Sequence, residues 1–184
     1  MKKTISQIEQ EIRDLVNDEP KRAQIETVPG SWGMLVSSLD IIGDTEQSFE
    51  SYENQSEPGT VGEKYLVIYG VLQSLFIQQD AVSNLFAALG IAHAESPHLK
   101  AIREIRNHSS GHPTEIRRKV GGTPFRIFNH IQRFGLTIRI FKLGMFNENG
   151  DLTMHDIDLP KLVGQQQDIL RSELLSVLET LRNP

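Results

Sequence analysis

From Val61 to Leu89 the apolar residues Ile68, Leu72, Leu75, Val82, Phe86 and Leu89 recur at steps of four, three, seven, four and three. That spacing keeps them on one stripe of an α-helix, and a helix of this length obliges the rest of the chain to pack around it. Tyr65, Tyr69 and Phe76 widen the apolar face, so the helix needs two neighbours or a second subunit to cover it. Gln78-Gln79-Asp80 interrupts the stripe. Gln79 falls on the stripe itself, where a polar side chain either bonds across the core or fixes the register of a seam.

The flanking segments read as further helices. Thr4-Ile5-Ser6-Gln7 is a capping box, and Ile5, Ile8, Ile12 and Leu15 carry a first helix to about Asn17. Pro20 and Pro29-Gly30 punctuate a polar connection, after which Ser31 is the expected cap of a second helix bearing Trp32, Leu35, Leu39, Ile42, Phe49 and Tyr52. Its acidic tail runs from Gly43, a candidate kink, to Asn54, and the segment 55–60 with Pro58-Gly59 is a loop. Ser96-Pro97 supplies a cap and a first-turn proline for a helix running to about His108, and Thr114 to Lys119 reads as a further helical piece ended by Gly121-Gly122.

At about residue 124 the period changes. Phe125, Ile127, Asn129 and Ile131 alternate with Arg126, Phe128, His130 and Gln132, as in a half-buried strand. Thr137 to Phe146 is β-branched and aromatic, and Asn147-Glu148-Asn149-Gly150-Asp151 makes a turn before Leu152 to Ile157. Asp158 with Pro160 opens a last helix whose face is Val163, Leu170, Leu174, Val177 and Leu181. The expected fold is mainly α, a helical bundle with a small three-stranded antiparallel β-meander before the C-terminal helix.

At 184 residues the chain fits one domain, and the absence of cysteine removes disulfides and thiolate metal sites. Met1-Lys2-Lys3 leads into polar residues and no run of 18 apolar residues occurs, so the cytoplasm is the expected location, with no membrane partner. The formal charge of −5 conceals a segregation. Residues 100–142 hold ten Lys and Arg against Glu104 and Glu115, whereas residues 1–96 hold six basic and fifteen acidic residues. A basic segment of that kind is either an anion-attracting surface or a solvated face that offsets the acidic half.

Chemistry concentrates in the segment 102–114, Ile-Arg-Glu-Ile-Arg-Asn-His-Ser-Ser-Gly-His-Pro-Thr. Leu99 and Ile102 lie on the buried stripe of their helix, and the next position on it, four residues on, is Arg106. A guanidinium cannot discharge in a protein, so one that points inward needs a carboxylate partner or an anionic ligand. Ser109-Ser110-Gly111 is expected to break the helix, which lets His112 fold back towards Arg106 instead of being carried about 240° around the axis.

The order Arg106-Asn107, four intervening residues, then His112, within Arg-Asn-x-x-x-Gly-His-Pro-Thr, resembles the motif of the HEPN superfamily, the higher eukaryotes and prokaryotes nucleotide-binding domains. The resemblance covers roughly residues 60 to 182. It implies one HEPN-like domain over 1–184, in which 1–59 is an N-terminal helical extension, 60–122 and 158–184 form the bundle with the motif, and 123–157 is the meander. It implies, further, a ribonuclease of the toxin or defence type that works without a metal or other cofactor, through attack of a ribose 2'-hydroxyl on the adjacent phosphate. His112 would exchange the protons, Arg106 would hold the phosphoryl oxygens bidentately, and Asn107 would orient the histidine or scaffold the loop. Arg103 and His108 are second candidates for phosphate contact, and Arg117, Arg118 and Lys119 would track the RNA backbone. The implied partners are RNA, a second copy of the chain with facing motifs, and an antitoxin protein.

Other chemistries fit less well. His108 and His112 are four apart and His93 and His98 five apart, but Gly111 and Pro113 spoil the helix that would align the first pair and no His-Glu-x-x-His is present. Ser109 and Ser110 lack an accompanying acid, and there is no Walker or Gly-x-Gly-x-x-Gly loop. Two alternatives stay open: Arg106 pairs with a buried carboxylate while His112 only ends a helix, or the domain is a HEPN-like module that binds nucleotides, RNA or protein without cutting.

Overall fold

The computed structural model describes residues 2–111, 114–120 and 123–183, with 118–120 and 123–125 described by their backbone alone. The elements in order are α1 (Ile5–Val16), α2 (Glu19–Glu26), α3 (Ser31–Glu53), α4 (Val61–Ala88), α5 (Pro97–Arg106), a π-helical turn (Asn107–Gly111), β1 (Ile116–Val120), β2 (Thr123–Ile131), β3 (Ile140–Asn147), β4 (Leu152–Asp158) and α6 (Leu159–Arg182). The fold is thus mainly helical with one antiparallel sheet, in the order β1-β2-β3-β4.

Most helix starts form as their caps require. Thr4 and Gln7 make the reciprocal capping box of α1, Ser96 accepts from the amide of His98, and the Asp158 carboxylate accepts from the amide of Lys161 at 3.0 Å. Thr60 and Glu63 form a second capping box at the head of α4. Two starts differ from expectation. Gly30, at φ 85°, caps α3 in a left-handed conformation, and Ser31 is instead its buried first residue. The connection around Pro20 is helical as α2, with Pro20 in the first turn where it removes no needed donor; none of its residues is fully buried, which is why no apolar stripe announced it. Gly43 causes no break in α3.

The helix α4 threads two apolar clusters. Its C-terminal half, through Val82 and Leu85, packs with Ile5, Ile8 and Ile12 of α1, Leu35 and Leu39 of α3, and Leu170, Leu174 and Val177 of α6. Its N-terminal half, through Ile68, Leu72 and Leu75, joins Phe49 and Tyr52, Ile102 of α5, and the inward face of the sheet at Ile131, Phe141, Leu143 and Ile157. The N-terminal helices are therefore part of the core. At the seam between the clusters Gln166 of α6 accepts from Gln79 Nε2 at 2.7 Å and donates to Gln78 Oε1 at 2.9 Å and to the Leu75 carbonyl at 3.0 Å. Gln79 thus bonds across the core to α6, not to the motif.

The sheet has four strands where three were expected. The segment 116–120, expected as helix, pairs antiparallel with β2, Ile116 opposite Ile127 and Val120 opposite Thr123. A five-residue strand rich in arginine has no alternation long enough to read, and its pairing with β2 settles its form. The intervening Gly121 and Gly122 lie outside the described residues. The turn from β3 to β4 is as expected: Asn147 Oδ1 accepts from the amides of Asn149 and Asp151, both at 2.9 Å, and Gly150 takes φ 86°. Among the described residues no helix is long and apolar enough to cross a membrane.

Candidate functional site

The motif begins on the last turn of α5, which lies across α4. Leu99 and Ile102 anchor the buried face of α5, and the two arginines that follow at a spacing of three extend over the exposed side of α4. Both settle on one ring. The guanidinium of Arg103 lies 4.5 Å and that of Arg106 4.2 Å from the centroid of Phe76. Phe76 holds this place because Gln73, Phe76 and Asp80 share one stripe of α4 at steps of three and four.

The two arginines differ in their partners. Arg103 donates to Asp80 at 2.8 Å and lies 3.6 Å from Glu95, so its charge is answered by carboxylates. Arg106 donates to Gln73 Oε1 at 2.9 Å and to Asn107 Oδ1 at 3.1 Å, both neutral amides, and its buried Nε has no hydrogen-bond partner. Among the described residues no carboxylate pairs with Arg106. Asn107 therefore steadies the arginine, by a bond the sequence spacing did not suggest.

Beyond Arg106 the chain widens into a π-helical turn at residues 107–111 instead of breaking, with Ser110 Oγ donating to the Arg106 carbonyl at 3.3 Å. The backbone of Gly111 is brought against the arginine: a Cβ there would stand 2.5 Å from Arg106 Nη1 and 3.2 Å from Asn107 Oδ1. Only glycine fits this approach without displacing the guanidinium. His112, the expected proton-transfer residue, lies outside the described residues, as does the side chain of Arg118.

His108 points into the protein. Its side chain is 7% exposed, its Nδ1 lies 2.9 Å from Asn129 Oδ1 on the inward face of β2, and its Nε2 is 3.6 Å from Glu104. The residue ties the π turn to the sheet and is not open to a ligand. Arg117, by contrast, is 81% exposed on β1, with Glu115 at 2.9 Å. The expected contacts thus separate into an Arg106 held by neutral amides, an Arg103 paired with carboxylates, a buried His108 and an exposed Arg117.

Of the several cavities among the described residues, two bear on the surroundings of the motif and the N-terminal helices. One of about 370 Å³ opens past Arg103, lined by Asp80, His93, Glu95 and Glu173. There His93 stacks on Phe86 with centroids 4.4 Å apart and lies 3.2 Å from Glu173, whose carboxyl is pushed above its ordinary value by burial against the opposing pull of His93. The other, of about 470 Å³ near α2 and the end of α4, is lined mainly by aliphatic and hydroxyl side chains. Among the described residues no group of three or more His, Asp or Glu is arranged to hold a metal ion.

Sequence reasoning did not single out Gln73 or Asn129, and read Phe76 only as added apolar surface. The available signal was the pairing of two short periodicities, Gln73-Phe76-Asp80 on one helix and Arg103-Arg106 on the next. Comparison with protein-family models, with curated proteins and with solved structures finds no match to this chain.

Proposed function

We propose that this chain is a HEPN-like endoribonuclease of the toxin or defence type that cleaves RNA without a metal. The observation that carries the proposal is Arg106: a permanently charged guanidinium, laid flat on Phe76 and held only by neutral amides, with no carboxylate partner among the described residues. A cation fixed this way is preorganised for an anion, and a phosphoryl group gathering charge in its transition state is the anion an arginine fork suits best. His112 supplies the proton transfers: a ribose 2'-hydroxyl attacks the adjacent phosphorus, the 5'-oxygen leaves with a proton, and the products are a 2',3'-cyclic phosphate and a 5'-hydroxyl.

The active unit in this proposal is a homodimer. Leu66 and Tyr69 are 74% and 41% exposed, and they continue the stripe of Gln73 and Phe76 towards the start of α4. An isologous contact along this stripe would bring two copies of Arg106 to one cleft. An antitoxin protein would act by covering the same cleft.

The decisive assay is cleavage of RNA in EDTA with analysis of the product ends. Arg106→Ala is expected to lose about 10²- to 10³-fold in rate, the usual cost of removing one transition-state donor, with Arg106→Lys recovering little. His112→Ala is expected to be inactive. Cleavage that needs an added divalent ion, or that proceeds normally in Arg106→Ala, would overturn the mechanism. The burial of His108 favours a second reading, because it takes away one candidate for a second proton-transfer group near Arg106. In that reading the domain binds RNA, nucleotide or protein without cutting, and Arg106→Ala would abolish binding by a protein that never produced cyclic phosphate.

A further inference from the structure

The inward face of the sheet is absorbed by the core, but its outward face is uncovered. Strand alternation and register place Arg126, Phe128 and His130 of β2 on that face, beside Lys142, Gly144 and Phe146 of β3 and Leu152 and Met154 of β4. The rings are arranged as a surface. His130 lies over Gly144, where any Cβ would collide with the imidazole, and so reaches Phe146 across the strands, the two rings stacked at 5.2 Å and 24°. Phe146, Leu152 and Met154 are 37%, 49% and 39% exposed, an apolar platform that no element among the described residues covers.

We propose that this face receives the unpaired bases of a single-stranded RNA, stacking them on His130 and Phe146. Charge selects this occupant. Register places the basic Arg117, Arg126 and Lys142 on this face, in a run from 117 to 142 that contains no acid. On the β1 side of the platform Arg117 and Arg126 have side chains 81% and 53% exposed; Arg117 is paired with Glu115 at 2.9 Å, whereas Arg126 reaches Glu115 and Glu148 only at 3.9 Å each, so Arg126 is the more loosely held and can turn to a phosphate. On the other side Lys142 is paired with Asp156 at 2.6 Å, and β4 is the acidic margin. A backbone would therefore run along β1 and β2 with its bases laid inward over the rings. Duplex bases are stacked on each other and offer no free face, so the platform suits single strands.

The platform is also coupled to the motif. Asn129, on the inward side of β2 between Phe128 and His130, holds His108 of the π turn, and β1 follows the motif loop in the chain. This inference takes the identity of the polymer from the ribonuclease proposal, and its test is separable. Fluorescence anisotropy of a labelled single-stranded 2'-O-methyl oligoribonucleotide of about 12 residues, a length within the span of known stacking platforms, is measured against the full wild-type chain; the probe lacks the attacking hydroxyl and so stays intact.

The paired change His130→Ala with Phe146→Ala is expected to weaken binding about tenfold or more, Phe146→Tyr to preserve it, and Arg117→Gln with Arg126→Gln to flatten its salt dependence. Met154→Glu, at an exposed position, is expected to weaken binding without shifting the melting temperature, which covers the case in which the double alanine chain unfolds. Unchanged affinity in the aromatic and Met154→Glu chains would overturn the inference. So would equal affinity for a duplex of the same length, or loss of self-association by light scattering with RNA affinity intact, which would make the face a contact between copies. A wild-type chain that does not cut RNA yet shows the expected binding pattern would remove the ribonuclease reading and leave the platform standing.

Discussion

Arg106 and Gly111 illustrate how a single backbone position can set the aim of a charged group. The guanidinium is fixed by Phe76, Gln73 and Asn107, so it cannot move away cheaply from a new methyl group at 111, which would stand 2.5 Å from Nη1. Gly111→Ala is therefore expected to lower the melting temperature by several degrees, the usual cost of an overpacked contact, and to lower the cleavage rate by about tenfold to a hundredfold, the cost of a misplacement near 1 Å. An unchanged rate in that chain would show that the position of Arg106 does not control turnover. Glu46 offers a different test. Its carboxylate accepts from Gln78 Nε2 at 2.7 Å and from Gln167 Nε2 at 3.3 Å, yet burial pushes its pKa above the ordinary 4.5, outweighing the amide donors. A carboxyl that holds its proton more tightly folded than unfolded contributes most below the unfolded pKa, and that contribution is lost as pH rises through the folded value. Glu46→Gln keeps one acceptor for Gln78 while the half-buried Gln167 turns its amide over. It should raise the melting temperature at pH 7 and reduce the fall in stability between pH 4.5 and neutrality. A lower neutral melting temperature would contradict this.

Among the elements, α4 and α6 are joined by apolar side chains above and below a single polar rung. Gln166, fully buried, holds Gln78 and Gln79 together, and replacing it by leucine would leave Gln78 Oε1 and Gln79 Nε2 buried without partners. The expected loss is about 2–4 kcal/mol, or a melting temperature lower by roughly 5–15 °C for a chain of this size. Calorimetry on Gln166→Leu checks it, and a neutral result would mean that water or a rearranged Gln78 takes over the bonds. At this scale the helices were legible where an apolar stripe coincided with a cap, as at Thr4, Ser96 and Asp158. The two misread segments lacked one or both signals: α2 buries nothing fully, and β1 is an edge strand whose basic residues keep it soluble and hide its period.

At the scale of the molecule the described residues leave a helical stripe and a sheet face uncovered, and these belong to different proposals. Leu66 and Tyr69 beside the motif are the expected dimer contact, whereas Phe146 and Met154 on the sheet are the expected RNA platform. Leu66→Asp with Tyr69→Asp should convert a dimer to a monomer by light scattering and abolish cleavage while leaving the fold and the single-strand affinity of the platform in place. A wild-type monomer with full activity would rule out a shared cleft.

By itself the sequence determined the long central helix, the caps at Thr4, Ser96 and Asp158, the change of period near residue 124 and the crowding of Arg, Asn and His between residues 103 and 112, because each is written in neighbouring residues at a fixed spacing. Only the tertiary structure decided which of Arg103 and Arg106 has no carboxylate partner among the described residues, and that His108 turns inward. Arg103 and Arg106 look alike on one helix, and they differ because Asp80 of α4 lies under the first and Gln73 under the second. Likewise, the outward sheet platform needs His130 and Phe146 to meet across a glycine on the next strand, a register set by pairing between distant segments. Local spacing fixes what a residue can do, while packing against an element elsewhere in the chain decides whether its charge or its ring remains available.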